Sequence, residues 1–212
     1  YPGFTEKTGG LIHGDYPAHL RNTARRSSRN NLSVFVFSYP KAPLAELIDC
    51  CNTTGSNTRI HIAGPKPAGI DATYVTELAF CPQGDFDELL AKHDVLFVRG
   101  EDSFVRAQLA GRPMIWQIYP TNDGAHTEKL SKFFERYSGG LTPACKQALW
   151  NCWASWNDLN NTGTFSTSWQ GLLVHLPELQ AHALKWQSRL FSGPELVSQL
   201  LTWRLLQRPT LS

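Results

Sequence analysis

An α/β fold, with an open parallel sheet flanked by helices and then an all-helical C-terminal segment, is what this sequence predicts. Three observations carry that expectation. Between residues 32 and 137, short β-branched and aromatic runs alternate with stretches of helical period. One of the runs, DVLFVRG at 94–100, is apolar almost throughout, as suits a strand buried on both faces of a parallel sheet. After Gly140 only helical patterns remain. Strands alternating with helices argue for βαβ units, hence a Rossmann-like sheet.

Residues 1–30 are rich in Gly, Pro, Arg, Ser and Asn and read as linker and surface loop, the basic run RNTARRSSRNN being a solvated face. The opening YPGFTEKTGG has the look of the middle of a longer chain. From residue 31 to 140 the elements follow in order. LSVFVFSYP (32–40) reads as a strand, and APLAELIDCCNTTG as a helix with Pro43 near its first turn and Gly55 past its end. RIHIAGP (59–65) and TELAFCP (76–82) are further strands, and GDFDELLAKH is a helix opened by Gly84 or Asp85. DVLFVRG, the short helix SFVRAQLAG, the strand PMIWQIYP and the helix HTEKLSKFFERY complete the unit. Residues 141–212 hold the helical patterns TPACKQALWNCWASWNDL, WQGLLVHLPELQAHALKWQSRL and GPELVSQLLTWRLLQ. Trp150, Trp153 and Trp156 recur at a spacing of three, which reads as a core stripe.

A net charge of +2 gives no reason to expect nucleic acid or an anionic membrane as partner. No apolar run approaches the roughly 20 residues needed to span a bilayer. Five cysteines without C-x-x-C spacing favour reduced, buried thiols in a cytoplasmic protein.

Ligands of open α/β sheets bind beyond the carboxyl ends of the strands. Applied here, that places Phe37, Ser38 and Tyr39, then Phe80 to Gln83, then Arg99 to Ser103, then Tyr119 and Thr121 around one site. Aromatic faces, an amide, a cation and hydroxyls suit a nucleoside diphosphate, whose base needs a flat surface and whose phosphates need a cation and helix amides. At the Arg-Gly-Glu-Asp-Ser joint, Gly100 permits a sharp turn and Asp102 or Ser103 can cap a helix from Phe104 onward. Two readings stay open there. Arg99 meets an anion, or Glu101 and Asp102 merely cap the helix and pair with Arg99 or Arg106.

Neither G-x-G-x-x-G nor the P-loop pattern occurs, and no G-x-S-x-G elbow supports acyl transfer. The seven histidines lack metal-site spacing, so no metal is expected, and His61, His93, His126 and His175 read as structural.

PGFTEKTGGL (2–11), VFSYP (36–40), FCPQGDFDELL (80–90), RGEDSFVRAQLAGRPMIWQIYP (99–120) and AHTEKLSKFFERY (125–137), in that order, resemble the C-terminal half of the bacterial protein-arginine rhamnosyltransferases that modify elongation factor P. The likeness is dense from 76 to 137 and looser elsewhere. It implies a GT-B architecture of two Rossmann-like domains, the C-terminal one holding dTDP-β-L-rhamnose. It also implies an inverting, metal-independent transfer of rhamnose to an arginine of elongation factor P, in support of polyproline translation, without a cofactor. Carried over by motif, Phe80 and Gln83 recognise the thymine nucleoside, with Phe37 and Tyr39 in the same pocket. Arg99, Asp102, Ser103 and Tyr119 contact the diphosphate and sugar, and Glu101 matches a glutamate needed for activity. The family's proposed base is an aspartate of an Asn-Tyr-Gly-Asp type segment in the N-terminal domain, which also docks the elongation factor. No such segment occurs among these 212 residues. The chain is therefore expected to bind dTDP or its rhamnose sugar and to be inactive alone, its final helix packing toward the missing domain. Competing expectations are a donor domain for another nucleotide sugar and a non-catalytic nucleotide-sugar-binding or docking module.

Overall fold

The structure, a computed structural model, describes residues 3–4, 7–23, 31–53, 57–70, 73–159 and 163–206. Most of the basic run before the first strand, and Gly55 after the first helix, lie outside the described residues.

Five strands form one parallel sheet: β1 (Ser33–Val36), β2 (Arg59–Ala63), β3 (Val75–Leu78), β4 (Val95–Arg99) and β5 (Met114–Gln117). Their spatial order is β3-β2-β1-β4-β5. Register aligns Phe35 with His61 and Leu96, and Val98 with Trp116. Side chains alternate across a strand, so the sheet has two distinct apolar faces. On one, Phe35 meets Phe86 of α2 (Gln83–Lys92) and Trp116 stacks on Phe104 of α3 (Asp102–Leu109) at 3.9 Å between ring centroids. On the other, Phe97 packs on Trp156 at 4.4 Å and Trp169 at 5.5 Å. Trp156 belongs to α5 (Pro143–Trp156) and Trp169 to α6 (Phe165–Val174), which shares that side with α1 (Leu44–Thr53). The tryptophan stripe is core, as its spacing suggested: Trp153 and Trp156 are buried and Trp150 is half-buried against Phe134.

β5 is an edge strand, and an unpaired edge leaves backbone groups without partners. Helix α5 covers it with side chains in place of a sixth strand. Trp153 Nε1 donates to Met114 O at 2.9 Å, Asn157 Nδ2 donates to Trp116 O at 2.8 Å, and Asn157 Oδ1 accepts from Ile118 N at 2.9 Å. Those bonds hold the end of β5 from which Tyr119 projects.

Several element boundaries differ from the sequence reading, β1 and β3 ending earlier than the runs 32–40 and 76–82 suggested. Helix α2 begins at Gln83 after Pro82, whose ring holds φ at −62°, and no side chain caps it, so neither Gly84 nor Asp85 opens it. Asp85 sits in the first turn, where its charge complements the helix dipole. The long helical pattern over 169–190 divides at His175 into α6 and α7 (Leu176–Ser192), because Pro177 lacks the N–H that a continuous helix needs. Helix α3 starts at Asp102, two residues before the expected Phe104, with Glu101 at its N-cap and no side-chain cap bond.

Helix α4 (Ala125–Tyr137) follows β5 and supplies Phe133, Phe134 and Tyr137 to the core. Outside α3 lies α7, joined to it by Trp186 Nε1 donating to Gln108 Oε1 at 2.9 Å. Residues 7–23 run across α2, α3 and α7, burying Leu11, Tyr16 and Leu20. Arg106 is their anchor: it is only 4% exposed, donates to Asp87 Oδ1 at 2.7 Å and to Asp15 Oδ1 at 2.9 Å, and makes a second bond to Asp87. Helix α8 (Leu196–Leu206) leaves Val197, Leu200, Leu201, Trp203 and Leu205 exposed. All five cysteines are free, and burial pushes the Cys51 thiol up to about 12. No helix among the described residues is long and apolar enough to cross a membrane.

Candidate functional site

From β1 the chain winds outward through β2 to β3, then returns to place β4 on the opposite side of β1. The carboxyl ends of β1 and β4 therefore diverge, which opens a crevice at the switch point where doubly wound sheets take ligands. A cavity of about 690 Å³ lies there, of a size for a nucleotide or drug-sized molecule. Phe37 and Tyr39 reach it from β1, Gly64 from β2, Phe80 from β3, Arg99 from β4, and Gln83 and Phe86 from α2.

Arg99 ends β4, and its guanidinium lies 4.1 Å from the Phe37 ring centroid and 4.7 Å from that of Tyr39. Its one hydrogen bond is long, from Nη1 to Ser38 O at 3.4 Å, and among the described residues it has no carboxylate partner. An ion pair between Arg99 and Glu101 or Asp102 was one reading of the joint; the structure does not make it. Glu101 instead pairs with Lys129 of α4 at 2.5 Å, and Arg106 with Asp87 and Asp15. A cation held over aromatic faces without a counter-charge is poised for an anionic ligand.

Gly100 makes the turn out of β4 with φ of 63°, a left-handed conformation that costs other residues. A β-carbon there would come within 3.1 Å of the Tyr39 hydroxyl. The backbone of Gly100 is held on both sides, its N–H donating to Gln117 O at 3.2 Å and its carbonyl accepting from Trp116 Nε1 at 2.7 Å. Replacing Gly100 with alanine is expected to cost about 1–2 kcal/mol in urea unfolding from backbone conformation alone. Because the new methyl meets Tyr39, ligand affinity at the cavity falls as well.

Ser103 is buried and its hydroxyl is committed, donating to Arg99 O at 2.5 Å and accepting from Arg99 N at 3.3 Å. It clasps the strand end to the helix; neither it nor Asp102 caps α3, contrary to the capping role expected of them. Asp102 is exposed and lines the cavity. With no side-chain cap, the first-turn amides of α3 keep the unpaired donors of a helix N-terminus beside Arg99.

Phe80 stands fully exposed at the cavity mouth, and Gln83, first residue of α2, stands exposed beside it. The same lining holds Phe37, Leu78, Phe86 and Leu89, so apolar surface and one side-chain amide border one cavity. Tyr119 is at the rim and not in the cavity lining; its ring meets Tyr39 edge-on at 5.6 Å. Glu101, with its carboxylate turned toward α4, is also outside that lining. The structure thus gathers Phe37, Tyr39, Phe80, Gln83, Arg99, Asp102 and Ser103 around one cavity and leaves Glu101 and Tyr119 at its edge.

Gln117 was missed. Buried at the end of β5, it accepts from Tyr39 N through Oε1 at 2.6 Å and so fixes the turn that carries Tyr39. One amide at the end of the otherwise apolar run PMIWQ was the available signal. Three of the four histidines read as structural make side-chain hydrogen bonds: His93 with His61 at 2.9 Å, and the His126 ring accepting from Thr121 N at 3.1 Å, whereas His175 stands at the break between α6 and α7.

Comparison with known proteins places the chain. The family model described as elongation factor P rhamnosyltransferase EarP matches residues 1–204. A protein-arginine rhamnosyltransferase of Pseudomonas putida is 35% identical, over 86% of this chain and 56% of the relative. Another, of Pseudomonas aeruginosa, is 43% identical over 53% of this chain and 29% of the relative. The chain spans about half the length, or less, of these curated relatives. A solved structure, described as the structural basis for EarP-mediated arginine glycosylation of translation elongation factor EF-P, superposes with a TM-score of 0.72 at 32% identity. It covers 86% of this chain and 63% of that one. The spinosyn forosaminyltransferase SpnP shares the fold at 14% identity and a TM-score of 0.54, covering 90% of this chain and 46% of its own. A parallel sheet with flanking helices and a helical segment after it is consistent with half of a GT-B fold.

Proposed function

Because this chain belongs to the EarP family of elongation factor P rhamnosyltransferases, we propose that it is the donor-binding portion of an inverting glycosyltransferase. Its donor is dTDP-β-L-rhamnose, and the acceptor of the complete enzyme is an arginine of elongation factor P. The observation that carries this reading is Arg99, a cation without a counter-charge at the switch point of the sheet, lying over two aromatic rings and beside the open N-terminus of α3.

In this reading Phe80 closes over the thymine ring, Gln83 meets its polar edge, and Phe37 and Tyr39 line the nucleoside slot. The diphosphate lies against Arg99 and the α3 amides, with Asp102 and Ser103 bordering the adjoining sugar and the Tyr119 hydroxyl reaching in from the rim. Bond cleavage leaves negative charge on the departing phosphate, and fixed donors stabilise that charge without metal chemistry. The acceptor guanidinium stays protonated at neutral pH, so carboxylates must hold and polarise it. Glu101 supplies one, exchanging Lys129 for the incoming cation; the base comes from the part of the enzyme that this chain does not span. Residues 31–140 form the nucleotide-sugar domain, 1–30 enter it, and 141–212 complete its helical layer. The exposed apolar side of α8 rests on the other domain.

Calorimetry on the 212-residue chain tests the donor assignment. dTDP-rhamnose is expected to bind weakly but measurably, with UDP-glucose and GDP-mannose at least tenfold weaker. Equal affinity for all three, or preference for another sugar nucleotide, overturns it. No transfer to elongation factor P is expected from the chain alone; rhamnosylated product, seen as a mass increase of the acceptor, overturns the division of labour.

A further inference from the structure

Away from the nucleotide cavity, a second group of side chains meets where α5, α6 and α7 converge. Cys145 in the first turn of α5, His175 at the α6–α7 break and Glu178 in the first turn of α7 each turn a ligand atom to a common point, all three within 4.8 Å of one another. It is the one such group of three among the described residues. We propose that this group is a binding site for one zinc ion, held by the Cys145 thiolate, the His175 imidazole and the Glu178 carboxylate with water as fourth ligand.

The donor set fits that ion. Thiolate with imidazole and carboxylate suits borderline-soft zinc and disfavours magnesium or calcium, which take oxygen alone. Tetrahedral zinc spaces its ligand atoms roughly 3.3–3.8 Å apart, so the three atoms close by about 1 Å of side-chain rotation. His175 and Glu178 stand three residues apart at the head of one helix and so share a face. Glu178 is already oriented as ligating carboxylates are, by bonds from a second residue: Thr142 N donates to its Oε1 at 2.6 Å and Thr142 Oγ1 to its Oε2 at 2.9 Å. Among the described residues no lysine or arginine forms an ion pair with Glu178.

Cys145 is fully buried. When zinc binds, the Cys145 S–H bond breaks, the sulfur pair goes to zinc, and one proton leaves to water. Glu178 also borders a surface cavity of about 290 Å³, whose lining includes neither Cys145 nor His175. The ion would staple three helices that otherwise meet at a proline-broken joint. No local motif marks the group, because Cys145 lies far along the chain from the other two ligands.

Tag-free protein, dialysed against chelator, is titrated with cobalt(II) and then zinc. Expected are one equivalent per chain, a thiolate-to-cobalt charge-transfer band bleached by zinc, one proton released, and a rise in Tm of several degrees with zinc. Cys145→Ser should remove the band and weaken zinc by at least about 100-fold, and His175→Gln by at least about tenfold. Should Cys145→Ser fail to fold, Glu178→Gln joins His175→Gln, and the cobalt band of the unaltered chain decides by itself. Absence of that band, or zinc binding unchanged in the variants, overturns the site. Donor affinity should be the same with and without zinc.

Discussion

Replacing Arg99 with alanine should weaken dTDP binding by about 1.5–3 kcal/mol, roughly 10- to 150-fold, the range for a hydrogen bond to a charged group. The effect should be large because Arg99 is the sole Lys or Arg among the described residues of the cavity lining, and Asp102 is there with the opposite sign. Arg99→Lys should recover only part of the loss, since an ammonium lacks the planar fork that engages two phosphate oxygens and stacks on Phe37 and Tyr39. Stability should hardly change, because the side chain's own bond, to Ser38 O, is long. Calorimetry with dTDP, beside a urea titration, separates the two quantities. Unchanged dTDP affinity in Arg99→Ala would remove the diphosphate role and with it the main support for the donor reading.

The largest loss of stability should come from a pair that the ligand never meets. Arg106 and Asp87 are 4% and 1% exposed and joined by two hydrogen bonds. Asp87→Ala leaves a buried guanidinium with only Asp15, whose side chain is mostly exposed. Breaking such a buried pair from one side costs about 3–5 kcal/mol. Asp15→Ala, removing the exposed partner, should cost less than about 1 kcal/mol. Replacing both partners together, Asp87→Leu with Arg106→Met, should return most of the loss, because the penalty lies in the unpaired charge. Urea unfolding of the four proteins checks the order. Equal losses for Asp15→Ala and Asp87→Ala would mean that burial is not what gives the pair its weight. The same pair holds α2 beside α3, the two helices that wall the nucleotide cavity, so Asp87→Ala should also loosen dTDP binding.

Much of the architecture was legible from local pattern. The strand cores around Phe35, Ile60, Leu96 and Ile115 were visible as apolar runs, and the helices between them as runs of helical period. Local pattern failed where two elements share one periodicity. The stretch from Trp169 to Leu190 keeps a continuous apolar face through His175, and only the missing N–H of Pro177 divides it. It failed also at α3, where Asp102 and Ser103 look like caps but lie inside the first turn, with the Ser103 hydroxyl returned to Arg99.

Part of the expected ring lines one cavity, and Ser38, Glu101, Tyr119 and Thr121 do not, because a residue just past an apolar run emerges at the carboxyl edge of a parallel sheet but need not point into the crevice. Phe37, Tyr39, Phe80, Gln83 and Arg99 could be assembled on that ground alone. Which charges pair could not. Glu101 finds Lys129, Arg106 finds Asp87 and Asp15, Gln117 finds Tyr39, and Cys145 meets His175 and Glu178, each across a contact between separate elements. Periodicity and strand ends are properties of a few adjacent residues, and so are written in the sequence itself. Partnerships depend on which faces of distant elements are pressed together and what burial then requires of each charge, and only the tertiary structure decides that. Among the described residues it left Arg99 without a carboxylate partner at the switch point, and that one outcome turns an ambiguous joint into a candidate binding site.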